Sequence, residues 1–183
     1  MLFAFLLAPV RPVVAQDNQQ LTANGTTMGV VGYSIVAFGD GISETQLQSA
    51  VAEELDSVNQ RMSTYLDSSE VSQFNQAKST EWIPVSTETA SVVQRALEIS
   101  ELSGGAFDIT VQPLVALWKF SRDKSASVEL PDPQTIEAKL RIIGYQKLKV
   151  RLDPPGLRKS IPELQIDLSA IAKGFAVDQV AQR

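Results

Sequence analysis

The chain has 183 residues, 16 basic and 21 acidic, for a formal charge of −5, with no Cys and no His; 44% is hydrophobic and 7% aromatic. That composition is globular and sufficient for one domain with a proper core. It excludes disulfide frameworks, Cys-based zinc sites, thiol catalysis and Ser-His-Asp catalysis within these residues. The acidic balance argues against nucleic acid as a partner, and any metal must be an oxygen-liganded one such as Mg²⁺ or Ca²⁺. The charge is uneven: residues 1–90 hold 3 basic and 10 acidic groups, and residues 91–183 hold 13 and 11. Ordinary surface variation accounts for this split, and a second half that receives an anionic ligand is compatible with it.

Met1 to Val10 is almost wholly apolar, and Arg11, Pro12 and the small residues to Ala15 follow. The run is too short to span a bilayer and has the length of a signal-peptide core, with cleavage near Ala15 or Gln16. Residues 1–16 therefore read as a signal-peptide remnant, although a charged leading region is missing. The alternative is a buried N-terminal strand. Residues 17–28 read as a polar lead-in. Val30 to Phe38 alternates as a strand and stops at Gly39-Asp40-Gly41. Ser43 and Gln46 form a capping-box pattern, and Leu47, Val51, Leu55, Val58 and Met62 recur at helical spacing as a core stripe.

A second strand is predicted over Glu81–Val85. Ser86 or Thr87 then caps a helix that runs to Leu102 and stops at Gly104-Gly105. Pro113 suits the first turn of a short helix bearing Leu114, Leu117 and Trp118. Residues 121–129 are a polar loop. Asp132-Pro133 opens another helix, ended by Gly144. Leu148–Leu152 and Leu164–Leu168 read as strands on either side of a Pro-Pro-Gly loop, and Ser169 caps a last helix with no terminator before Arg183. The mixed order predicts an α+β fold, in layers of strands and helices. The missing stop signal raises the prospect of a longer protein.

Four polar clusters interrupt this core pattern. Gly25-Thr26-Thr27-Met28-Gly29 is either a plain turn or a backbone approach to a ligand. Met62-Ser63-Thr64-Tyr65, with Ser69, Glu70 and Asn75 beyond, places an aromatic and hydroxyls at a helix end. Tyr65 there either clamps a planar ring or merely packs, with Ser69 as a helix cap. In Gly104 to Thr110, Asp108 accepts from a ligand or makes an Asx-type turn. In Ile166 to Gly174, an acid and a cap precede a helix, and Lys173 sits where a cation opposes the helix dipole. An external anion would compensate it, a reading favoured over an incidental lysine on a capped surface helix.

GTTMG, then MSTY with SEVSQFN, then GGAFDITVQPLVALW, then IDLSAIAKGFAVD span residues 25 to 178. This ordered set resembles the FAD:protein FMN transferase (ApbE) family. The resemblance implies an exported enzyme, periplasmic or at the outer face of the inner membrane, that binds FAD. With Mg²⁺ it would move FMN onto a Thr or Ser hydroxyl of a target flavoprotein and release AMP. Some relatives hydrolyse FAD to FMN and AMP instead, and a non-catalytic flavin-binding protein is a further alternative. By the same resemblance Met28, Tyr65, Ala106, Phe107, Asp108, Asp167 and Lys173 would contact FAD. Ala170 would give its backbone carbonyl to Mg²⁺. Family members run longer, and their second half supplies further Mg²⁺ ligands and a histidine motif. Residues 17–183 are thus expected to be the N-terminal portion of one flavin-transferase domain, its α+β fold incomplete without the remainder. No lipid-anchor Cys and no transmembrane span are seen.

Overall fold

Leu21 and Ala23 are both 1% exposed although the segment around them is polar. In the computed structural model, which describes residues 19–29, 31–118 and 130–183, this segment is a strand and not the polar lead-in expected. β1 (Gln20–Thr27) pairs antiparallel with β2 (Val31–Phe38), from Gln20 opposite Phe38 to Thr27 opposite Val31. Alternation explains it: Leu21 and Ala23 point inward while Gln20, Thr22 and Asn24 stay outside. The predicted signal remnant and the polar loop at 121–129 lie outside the described residues.

Thr22, Asn24 and Tyr33 fasten the hairpin to Glu44 and Gln48 of the first helix. The Tyr33 ring crosses Gly25 so closely that a Cβ there would lie 2.6 Å from its hydroxyl oxygen. Gln48 Nε2 donates to that oxygen at 2.7 Å, so the ring is not free to swing away. Gly25→Ala is expected to cost about 1–3 kcal/mol by overpacking, read as a lower midpoint in a urea melt.

α1 (Glu44–Met62) starts as predicted, with Ser43 and Gln46 in a reciprocal capping box. Its stripe of Val51, Leu55, Val58 and Met62 is buried against β1 and α6 (Ser169–Gln182). α2 (Glu70–Gln76) is capped by Ser69 and buries Val71 and Phe74. After β3 (Ile83–Pro84), α3 (Thr87–Leu102) is capped by Ser86 and buries Val92, Val93 and Ala96. It ends at Gly104-Gly105, both with positive φ, and the Gly105 N–H donates to Ser100 O at 2.8 Å. A 3-10 turn (Ile109–Val111) leads into α4 (Gln112–Leu117), with Pro113 in its first turn. Asp132 caps α5 (Pro133–Ile142).

β4 (Leu148–Leu152) and β5 (Pro155–Lys159) form a hairpin, and β3 pairs with the other side of β5. Two expectations change here. The Pro-Pro-Gly stretch is not a loop between strands, because β5 begins inside it at Pro155. Leu164–Leu168 is not a strand. Leu164, Ile166 and Leu168 are fully buried at period two, but the backbone bonds to a side chain and a turn and joins no ladder. Ser169 is the first residue of α6 and not its cap.

Two small antiparallel sheets and six α-helices among the described residues make the fold α+β, as expected. One core cluster gathers Val58, Phe74, Val93, Ile109, Leu157, Leu164, Ile166 and Leu168 from nearly every element. The outer edge of β2 has no partner strand among the described residues. No helix among them is long and apolar enough to cross a membrane.

Candidate functional site

The extended segment 164–168 joins three of the four polar motifs. Asn75, at the end of α2, grips Ile166 on both sides: its Nδ2 donates to Ile166 O at 2.8 Å and its Oδ1 accepts from Ile166 N at 2.7 Å. One residue on, Asp167 N donates to Ile109 O at 2.8 Å, beside the Gly104–Thr110 motif. α6 then begins two residues later. A residue at 167 is thereby fixed by α2, by the 3-10 turn and by the helix it precedes.

Leu168 stands at the cap of α6 without a side-chain cap bond, and Asp167 instead bonds the first residue of the helix. Its Oδ1 accepts from Ser169 N at 2.7 Å. Its Oδ2 has no hydrogen-bond partner among the described residues, and the side chain is only half-buried. Lys173 lies one turn into α6 and folds back, Nζ donating to Ser169 O at 3.0 Å. Its ammonium therefore sits over the first turn of the helix, with no carboxylate within ion-pair distance among the described residues. A cation at a helix start opposes the macrodipole and is compatible with an anion held at the same end. Ala170 is exposed in that first turn.

Asp108 is more committed than its sequence context indicates. Its Oδ1 accepts from both Thr110 N and Thr110 Oγ1 at 2.7 Å, and its Oδ2 accepts from Tyr145 N at 2.9 Å. The Asx-type turn is thus present. What Asp108 offers a ligand is a fixed position and the unused acceptor capacity of Oδ2. Phe107 packs against the core, its N–H held by Ser103 Oγ at 3.1 Å, and Ala106 is exposed.

Met28 stands at the tip of the β1–β2 hairpin with φ +47°, the one positive φ outside glycine among the described residues. Such a conformation is costly for a side chain other than glycine and concentrates at functional positions. Tyr65 follows α1 and is 71% exposed, unusual for a large aromatic. Ser69 does cap α2, and the hydroxyls of Ser69 and Ser72 both donate to Ser63 O, which fixes the turn that carries Tyr65.

A cleft of about 1100 Å³ opens between β2, α1 and α6. Met28 and Lys173 both line it, with Val31, Ile35, Leu47 and Val177 among the apolar walls. The structure thus brings Met28 to Lys173 across this cleft, and Asp108 to Asp167 across the 3-10 turn. Tyr65, Ala106, Phe107, Asp108 and Asp167 are not in the cleft's lining.

Two residues that the sequence reading left without a role shape this region. Asn75 lay in the second motif with nothing to distinguish it from a helix-end polar residue. Lys159 carried one faint signal: it falls two residues after buried Leu157 in a strand, so its side chain must also point inward.

The chain belongs to the ApbE family, whose model matches residues 25–183. Among curated relatives, the FAD:protein FMN transferase of Vibrio cholerae is 41% identical over 165 residues, which is 89% of this chain and 48% of that protein. That of Salmonella typhimurium is 37% identical over 187 residues, 98% of this chain and 52% of that one. Among solved structures, the flavin transferase ApbE from Vibrio cholerae matches with a TM-score of 0.82 at 39% identity, over 90% of this chain and 53% of that one. The apo form of the Pseudomonas stutzeri flavinyl transferase ApbE matches with a TM-score of 0.80 at 30% identity, over 91% and 55%. The chain spans about half the length of the curated relatives it matches.

Proposed function

We propose that this chain contributes the FAD-binding part of a Mg²⁺-dependent FAD:protein FMN transferase. The observation that carries the reading is the start of α6. There a half-buried carboxylate with an open oxygen, Asp167, lies two residues before the helix, and the Lys173 ammonium folds back over its first turn. A dinucleotide offers both a ring N–H for the acid and phosphates for the cation. Met28 and exposed Tyr65 flank the flavin, and Ala106, Phe107 and Asp108 present backbone and carboxylate to it. The names of the relatives support the transferase reading.

In the transfer, an acceptor Thr or Ser hydroxyl oxygen of a target flavoprotein bonds to the FMN phosphorus. The bond from that phosphorus to the bridging oxygen breaks, AMP leaves with that oxygen, and the hydroxyl proton passes to solvent water. Lys173 stabilises charge on the phosphates, and Asp167 orients the flavin half. Among the described residues no group of three or more acidic side chains converges. The Ala170 carbonyl would hold Mg²⁺ as one hard oxygen ligand, beside phosphate oxygens and the ligands expected from the family's second half. When bound, Mg²⁺ neutralises phosphate charge. Export to the periplasmic side, with residues 1–16 as the leader, belongs to the same proposal.

The test is incubation with FAD, Mg²⁺ and a target domain bearing an acceptor Thr. A target mass gain equal to FMN, with AMP released, supports transfer. AMP without a mass gain shifts the reading to FAD hydrolysis, and bound flavin with neither product reduces it to flavin binding. Asp167→Ala and Lys173→Ala should each weaken FAD binding about 10-fold, the loss of one charge-assisted hydrogen bond. Unchanged affinity in both, by flavin fluorescence titration, would discredit this site.

A further inference from the structure

Between α2 and segment 164–168 lies a second buried polar group, one for which neither capping nor transfer chemistry gives a use. Lys159 is 0% exposed on β5. Its Nζ donates to Phe74 O at 3.0 Å and to Leu164 O at 3.1 Å, and it sits 4.9 Å from the centre of the Phe74 ring. Phe74 O is one of the carbonyls that α2 leaves unsatisfied at its C-terminal end. Asn75, the next residue, bonds both backbone groups of Ile166. Gln165 adds a long contact, Nε2 to Asn75 O at 3.5 Å.

We propose that Lys159 and Asn75 are positioning residues for FAD: together they clamp segment 164–168 onto α2 and so fix where Asp167 and the start of α6 stand. The inference rests on the flavin reading above and deepens it. A shorter apolar side chain at 159 would fill the core at less electrostatic cost, because a fully buried ammonium is expensive. What the ammonium adds is reach: it bonds the end of α2 and the beginning of the segment at once. Asn75 supplies what a neighbouring strand would otherwise give, one donor and one acceptor facing the same residue. That is why the segment is extended and buried without joining a sheet. Four hydrogen bonds thus hold three residues, Leu164 to Ile166, immediately before the acid. The Asp167 N–H bond to Ile109 O then ties the same point to the Asp108 turn. A supporting shell of this kind fixes a ligand-binding carboxylate more tightly than its own backbone can.

The experiment compares wild type with Lys159→Met, Asn75→Asp and Asn75→Leu by hydrogen exchange and by FAD titration in the presence of Mg²⁺. Asn75→Asp keeps the acceptor for Ile166 N but sets a carboxylate oxygen against Ile166 O, and Lys159→Met leaves Asn75 intact, so the test remains informative if Asn75→Leu fails to fold. Exchange at Ile166, Asp167, Ile171 and Ala172 should accelerate about 10-fold or more while amides in α1 and α3 keep their protection. FAD affinity should fall about 10-fold. A double variant, Lys159→Met with Asn75→Asp, should lose little more than the worse single one, since both act on one segment. Uniform acceleration across the chain, or local acceleration with FAD affinity within about twofold of wild type, would overturn the positioning role. If wild type itself does not bind FAD, the flavin reading fails. The clamp is then judged on exchange alone, selective acceleration upholding it and its absence refuting it.

Discussion

Phe74→Ala is expected to lower stability by about 3–5 kcal/mol, the usual cost of truncating a buried Phe. Phe74 is 0% exposed and stands in the core cluster between Val71 and the 164–168 segment. Its ring also lies beneath the Lys159 ammonium, 4.9 Å from its centre. Truncation therefore opens a cavity and at the same time strips a buried cation of a polarisable neighbour. For a chain of this size the midpoint of a thermal melt should fall by roughly 10 °C or more. Phe74→Leu, which keeps most of the volume, should cost under about 1.5 kcal/mol. A thermal shift below about 3 °C for the alanine variant would contradict the packing described.

The second large effect is a pH dependence with an unusual direction. Burial lowers the Lys159 pKa from 10.5 to about 8; repulsion from Lys78 adds to this, and Glu163 partly offsets it. Two carbonyl bonds and the Phe74 ring favour the charged form, so desolvation outweighs them. The folded pKa lies below the unfolded one. Between pH 8 and 10.5 the unfolded chain therefore binds more protons, and stability rises with pH across that window. The gain is at most ~3 kcal/mol, the linkage free energy between a pKa of 10.5 unfolded and about 8 folded. Urea midpoints of wild type and Lys159→Met measured from pH 7 to pH 10 isolate it. The wild-type midpoint should climb relative to the variant above pH 8. A wild type that instead loses ground would mean that the ammonium is held by the fold and not penalised by it.

Much of the helical architecture is legible in the residues themselves. The Ser43–Gln46 capping box, the α1 stripe, the Ser86 cap, the Gly104-Gly105 stop and the Asp132-Pro133 start all appear where local chemistry dictates. These signals are local, each satisfied by groups within one turn. The misreadings are non-local. β1 was obscured because Asn24 and Gly25 are turn formers, and only pairing with β2 makes a strand of them. Leu164–Leu168 has the period of a strand, yet the groups that satisfy its backbone are an Asn some ninety residues earlier and a 3-10 turn, which periodicity does not register. At the site, Ser63 to Ser69, Asp108 and Lys173 are recognisable as motifs. Their bonding is not: the Asp108 carboxylate is already shared between Thr110 and Tyr145. Lys159 is the extreme case, a charged residue whose importance lies wholly in what the fold places around it.

β2 carries a cost of its own. Val31–Phe38 reads VGYSIVAF, with no charge and no proline, and Val36 and Phe38 are 52% and 67% exposed. Natural sheets blunt their borders with lysines, prolines or bulges because unpaired amides and carbonyls template the addition of foreign strands. Among the described residues no strand pairs with the outer edge of β2, and the strand itself holds neither lysine nor proline. It combines high β-propensity, apolar character and zero net charge over eight residues, the signature of aggregation-prone sequence. Among the described residues, the same strand that walls the cleft thus also carries the sequence signature of intermolecular β-sheet.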